Sequence, residues 1–273
     1  MSLRISLVHY LNAAPLGWFF LHGPARHRFR ILPASPAGCA EQLARGEADI
    51  GLIPTIEYQR IPNLHVIPDV AIAASNEVRS VLLVRPYGVA SIRSVALDTS
   101  SRTSVALVKL LLQSRMGIQP EFVPHEPSVA EMLRRCDAAL IIGDAALRCS
   151  TDQYQIMDLA AAWRDWQGRP FVFAFWACRP EVLPSDGLAE IFQEARDWGL
   201  ERIGEIAASY SRTLSLPAPF LEKYLQRNLD HTMGPEHIEG LDRFYRLAFE
   251  AGLIGRFTPV RFLARTEGRK HNF

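Results

Sequence analysis

Five hydroxyl-bearing residues, Thr99, Ser100, Ser101, Thr103 and Ser104, fall within six positions, with Arg102 among them. They follow an apolar run, Ser94 to Leu97, and precede a segment in which Val105, Leu107, Val108, Leu111 and Leu112 recur at helical spacing. That pattern puts the hydroxyls where a strand passes into a helix. A helix start exposes free backbone N–H groups and a partial positive charge, and hydroxyls around it add donors. Together they can hold a carboxylate or phosphate without a metal. One or two hydroxyls are enough to cap a helix, and five exceed that need. Asn12 sits in a second such turn, three residues before Pro15, where it either caps the following helix or faces a ligand. Ser80 opens an apolar strand, and its hydroxyl either satisfies the backbone or looks into a cleft. Thr55, Gly143 and Asp144 follow buried runs, and Asp144 is equally suited to cap the segment Ala145 to Cys149.

The elements that must position these groups are α/β in character. Arg4 to His9 reads as a strand, followed by a helix through Trp18, Phe19 and Leu21. A strand near Phe29 to Leu32, a helix from Pro36 to Arg45 and a strand from Asp49 to Ile53 come next. The piece Leu43 to Pro54 has a partial echo at Leu133 to Gly143, each a helix end, an acidic turn and a buried strand. Two such units predict two α/β lobes, and ligands in such folds bind beyond the carboxyl ends of the strands. Thr55, Gly143 and Asp144 would then face the same cleft as the hydroxyl stretch. Pro86 to Ser91 breaks both periodicities, and Pro170 to Cys178 is an aromatic-rich strand suited to a return crossing. The expected division is lobe I over 1–86 and 178–273, including the C-terminal helices, and lobe II over 87–177. From Ser185 the chain reads as helix, in segments ending near Tyr210, Leu229 and Ala251, and Phe257 to Phe273 reads as a surface tail.

With 273 residues, 48% hydrophobic, the chain can bury one large or two medium cores. A net charge of +1 gives no electrostatic case for a nucleic-acid partner. No apolar run suits a membrane span, and the start lacks the features of a signal peptide, so a cytoplasmic protein is expected. Cys39, Cys136, Cys149 and Cys178 show no C-x-x-C spacing and read as reduced thiols. The eight histidines are scattered without metal-ligand spacing, so neither metal nor cofactor is expected. Oligomeric state leaves no mark in the sequence.

Several segments, in order, resemble the chorismate dehydratase family of the futalosine route to menaquinone. They are Tyr10-Leu11-Asn12 with Pro15-Leu16, Ala48 to Pro54, Ser80 to Leu83, Leu97-Asp98 with Ser101 to Ser104, Ile142 to Leu147, and Asp158-Leu159 with Trp163, Pro170 to Val172 and Trp176. The resemblance covers residues 5 to about 180, and the helical remainder fits in arrangement. It implies the fold of type II periplasmic binding proteins, in which two lobes close on a ligand. It also implies loss of water from chorismate to give 3-[(1-carboxyvinyl)oxy]benzoate. Asn12 and Ser80 are then the expected catalytic groups. Thr55, Thr99, Ser100, Ser101, Arg102, Thr103, Gly143 and Asp144 are the expected substrate contacts.

No protein base stands out in the matched segments, because Asn, Ser and Thr do not accept protons at neutral pH. A carboxylate of the substrate itself is the expected proton acceptor. One rival is the sister enzyme that forms dihydroxynaphthoate, whose family is expected to use a histidine; here His125 lies in a Pro124 to Pro127 loop. The Tyr-Leu-Asn-x-x-Pro-Leu start favours the dehydratase. A rival of another class is a cytoplasmic protein that binds or senses a small anion on the same fold.

Overall fold

A computed structural model describes residues 2–24, 26–183 and 187–264. The chain enters through β1 (Leu3–Val8), a 3-10 turn (Leu11–Ala13) and α1 (Ala14–His22). It continues through β2 (Phe29–Ala34), α2 (Pro36–Ala44), β3 (Ile50–Pro54), a second 3-10 turn (Thr55–Gln59) and β4 (His65–Ala74). The middle of the chain forms β5 (Val81–Pro86), β6 (Ser94–Asp98), α3 (Arg102–Leu110) with a π-helical last turn, β7 (Glu121–His125) and α4 (Val129–Arg135). After these come β8 (Ala138–Ile142), α5 (Gly143–Ala146), β9 (Tyr154–Asp158), α6 (Leu159–Gln167) and β10 (Phe171–Cys178). Four further helices follow: α7 (Leu188–Leu200), α8 (Ile203–Leu214), α9 (Ala218–Arg227) and α10 (Pro235–Glu250).

The strands form two five-stranded sheets, ordered β2-β1-β3-β10-β4 and β7-β6-β8-β5-β9. In each, the first three strands are parallel and the fourth runs antiparallel to its neighbours. β3 and β8 are buried along their whole length, as expected of central strands covered on both faces. They hold the same position in their sheets, so the echo between Leu43–Pro54 and Leu133–Gly143 marks corresponding units. Strand membership moves the crossings away from the expected boundaries. The chain leaves the first sheet between Ala74 and Val81, not after Pro86, because β5 pairs with β8 and β9. It returns between Gln167 and Phe171, because all of β10 pairs with β3 or β4.

Local chemistry explains the junctions. Ser35 accepts from the N–H of Gly38 and Pro36 opens α2, a capped start. Asp158 caps α6 through Ala160 and Ala161, and the same carboxylate accepts from Val78 and Arg79 in the first crossing. Arg79 has a φ of 60°, and its 2.7 Å N–H bond to Asp158 helps hold that left-handed conformation immediately before Ser80.

Other expectations change with the structure. His125 ends β7, paired beside Asp98 of β6, and is part of a strand where a loop was expected. The first C-terminal helical segment divides into α7 and α8 around Glu201 and Arg202. Residues 257–264 are not a free tail. Val66 donates to the Arg261 carbonyl, Leu263 donates back to Val66, and Leu263 is buried. Residues 265–273 lie outside the described set. No helix among the described residues is long and apolar enough to cross a membrane.

Candidate active site

The parallel strands of both sheets end around one cleft. Tyr10 and Asn12 reach it after β1, Pro54 from the end of β3, Ser101 and Ser104 from the start of α3, Gly143 after β8, and Phe173 from β10. Among the described residues that line it there is no Asp, Glu, His, Lys or Arg. Its polarity is carried by hydroxyls, one carboxamide and the backbone. A wider groove bordered by Glu77, Arg115 and Leu216 contains none of the expected site residues.

The start of α3 presents two hydroxyls, Ser101 and Ser104, to the cleft. Ser101 occupies the N-cap but makes no side-chain cap bond; its hydroxyl pairs with that of Ser104 at 2.9 Å. The first-turn N–H groups and the positive end of the helix are therefore left for a ligand beside two hydroxyls.

The remaining hydroxyls of the stretch diverge. Thr55 donates to the Val172 carbonyl at 3.0 Å, so Thr103, 3.3 Å away, donates to Thr55. Thr103 in turn accepts from the Ile56 N–H at 3.1 Å, which uses both hydroxyls inside the protein. Arg102 bridges Glu57 at 2.8 Å and Glu41 at 2.6 Å, so its charge is balanced before any ligand arrives. Thr99 is exposed. Ser100 is half-buried, its carbonyl accepts from Ala37 N–H, and its hydroxyl stands against the side chains of Tyr10 and Asp98. Asp144 accepts from the Leu11 N–H at 3.0 Å, and burial pushes its carboxyl above the usual range. Thr55, Arg102, Thr103 and Asp144 thus join elements of the two sheets and lie off the cleft wall. Asn12, Ser101 and Gly143 are brought together on it.

Gly143 explains a close approach. Its φ is 61°, and a Cβ there would lie 3.0 Å from the Tyr10 ring. Its N–H donates to the Ser80 carbonyl at 2.8 Å, tying the end of β8 to the start of β5. Ser80 itself is fully buried, with its hydroxyl against the buried Tyr224 hydroxyl, while its neighbour Val81 lines the cleft. The Asn12 side-chain oxygen is buried and unpartnered among the described residues. Buried polar groups are normally satisfied, so the unpartnered Asn12 oxygen on the cleft wall makes this residue a candidate for ligand contact. Tyr10, which burial shifts to a higher pKa, and Phe173 were not expected from the sequence; Tyr10 lay in plain view beside Asn12.

Two five-stranded α/β units around a cleft define the class of the two-lobed binding-protein fold. The structure superposes on the periplasmic aliphatic sulphonate binding protein SsuA from Escherichia coli with a TM-score of 0.62 at 18% identity, covering 100% of this chain and 96% of that one. It superposes on a protein of Archaeoglobus fulgidus with a TM-score of 0.75 at 15% identity, covering 93% and 98%. These likenesses establish the fold. Residues 3–250 match the model of the menaquinone biosynthesis family, and the chain belongs to that family. It is 33% identical over 275 aligned positions to the chorismate dehydratase of Thermus thermophilus, covering 94% of this chain and 97% of the relative.

Proposed function

We infer that this chain is a hydro-lyase that converts chorismate to 3-[(1-carboxyvinyl)oxy]benzoate and water. The observation that carries the reading is the near-complete match to a chorismate dehydratase. The cleft supports it, because an uncharged wall with a helix start suits a dicarboxylate that must be held while it reacts.

The product keeps its ether at one ring carbon and has lost the neighbouring hydroxyl. The ring carbon bearing the ether therefore gives up its hydrogen, and the adjacent carbon gives up hydroxide. The carboxylate of the enol ether is three bonds from the first carbon, close enough for its oxygen to take that proton through a six-membered arrangement. This accounts for a cleft wall without an ionisable carboxylate or imidazole. Asp98 and Asp144 do not line it, and Asp49 is paired with Arg4 at 2.6 Å. Asn12, on the cleft wall, hydrogen-bonds the substrate and steadies the departing oxygen, whose negative charge grows as the bond breaks, and Ser80, buried behind it, supports that wall through its carbonyl bond to the Gly143 N–H. Aromatisation supplies the driving force, and no cofactor enters the balance. The reaction serves the futalosine route to menaquinone in the cytoplasm. The family match favours this enzyme over an anion-binding protein of the same fold.

The test is incubation of the purified protein with chorismate under ultraviolet and mass detection. A new aromatic absorbance with loss of one water supports the reading. Intact chorismate that nevertheless raises the melting temperature would replace it with a binding role.

A further inference from the structure

Asn12 sits on a turn of only three residues, and its side-chain oxygen has no protein partner among the described residues. The direction of its carboxamide is therefore set through the backbone of Leu11–Ala13. The turn starts at Tyr10 without a side-chain cap, and two outside groups grip it. Asp144 accepts from the Leu11 N–H at 3.0 Å, and His231 lies with Nε2 3.1 Å from the Asn12 carbonyl. A carbonyl only accepts, so His231 Nε2 carries the proton and donates.

His231 is itself held. It follows α9 and is buried to 4% exposure. Its carbonyl accepts from the Ala71 N–H, while Asp230 exchanges both backbone bonds with Ala73 at 2.8 and 2.9 Å. The imidazole is thus mounted on β4 and reaches the Asn12 peptide from a segment 219 residues away in sequence. Burial holds the ring neutral, with its pKa lowered to about 4, and the bond to the Asn12 carbonyl selects the Nε2–H tautomer.

We propose that His231 is a positioning residue for the dehydration: its Nε2–H bond to the Asn12 carbonyl fixes the turn that aims the Asn12 carboxamide at the substrate. The proposal rests on the reading that Asn12 meets chorismate. A displacement of about an ångström at such a group lowers turnover roughly a hundredfold, while binding through the α3 start is unaffected.

The experiment compares H231L, which removes the donor, with H231Q, whose amide nitrogen can stand near the place of Nε2. For H231L the expected result is a fall in kcat of about tenfold to a hundredfold with KM within about threefold, and H231Q recovers most of the loss. Unchanged kcat in folded H231L, a loss confined to KM, or equal loss in H231L and H231Q would overturn the assignment. Should H231L fail to fold, H231Q is compared directly with wild type, and a hundredfold loss there counts against the proposal. Nitrogen-15 NMR of histidine-labelled wild type gives a readout independent of turnover. A proton on Nε2 at pH 7 is expected, and an Nδ1–H tautomer overturns the donor. If wild type leaves chorismate unchanged, the proposed function fails, while the NMR result still decides the bond.

Discussion

The Asn12 side-chain oxygen is buried without a hydrogen-bond partner among the described residues, and it belongs to the cleft wall. That combination argues for ligand contact, because an unsatisfied buried group costs stability that selection would otherwise remove. Replacing Asn12 by Asp keeps its size but sets a negative charge against an anionic substrate. The expected outcome is a fall in kcat/KM of at least about a hundredfold with the melting temperature nearly unchanged, read by steady-state kinetics and calorimetry. Near-normal kinetics would remove Asn12 from the site. His231 gives a second prediction, in stability. Its folded pKa of about 4 lies below the ordinary value near 6.5, so the unfolded chain binds more protons between these values. Stability from this group is complete above pH 6.5 and falls as the pH drops toward 4, by on the order of 3 kcal/mol. Asp230 favours the imidazolium, while Arg196 opposes it together with burial. Burial raises Asp98, Asp144 and Asp158, which gives those groups the opposite slope. The decisive measurement is therefore urea unfolding of wild type minus H231Q at pH 7, 5.5 and 4.5. A difference that does not change with pH would mean that His231 is not buried in its neutral form.

At the scale of elements, periodicity revealed the parallel strands β1, β3, β6 and β8 because each is short, apolar and followed by a turn rich in Pro, Gly or hydroxyls. β4 and β9 carry no such pattern. β4 contains Pro68, and Asp69 takes a φ of 62°, so its pattern is broken where the strand bends. β9 is only half-buried throughout and shows no alternation. In the site, chemistry type was legible but direction was not. Thr103 and Ser104 are adjacent hydroxyls, yet helical rotation turns one toward Thr55 and the other toward the cleft. His231 left no local signal because its partner is distant in sequence. Nor did Gly199, which reads as an unfavourable glycine inside a helix. In the structure it lets α7 touch the turn that opens α1, since a Cβ there would lie 1.9 Å from the Pro15 carbonyl oxygen. G199A is expected to destabilise the protein by about 2–3 kcal/mol, despite the better helix propensity of alanine. Chemical denaturation checks this. A neutral or stabilising effect would mean that α7 can move away from α1 without loss.

For the molecule as a whole, one apolar core runs through residues of both sheets, with Trp163 of α6 packed on Phe171 and Phe244, and a set of polar contacts joins the two layers beside it. Thr103 meets Thr55 and Ile56, the Ser100 carbonyl meets Ala37, Asp144 meets Leu11, and Arg102 meets Glu41 and Glu57. Nearly all of them converge on the start of α3, so under the proposed function a ligand's anionic group would meet the same turn that joins the two layers. Arg102 offers the clearest test because its partners do not depend on it. Glu57 also pairs with Arg60 at 2.6 Å, and Glu41 with Arg45 at 3.4 Å, so R102Q leaves neither carboxylate stranded. R102Q should therefore keep its fold, with melting within a few degrees of wild type. Its KM for chorismate should rise about threefold to tenfold, because part of the binding energy now has to hold the layers together. Added salt should raise KM in wild type, by screening the half-exposed Arg102–Glu41 arm, and should do so less in R102Q. A KM unchanged by the substitution would assign closure to the threonine pair and the Ala37–Ser100 bond. Parallel salt responses in the two proteins would trace the salt effect to the anionic substrate and remove Arg102 from the closing contacts.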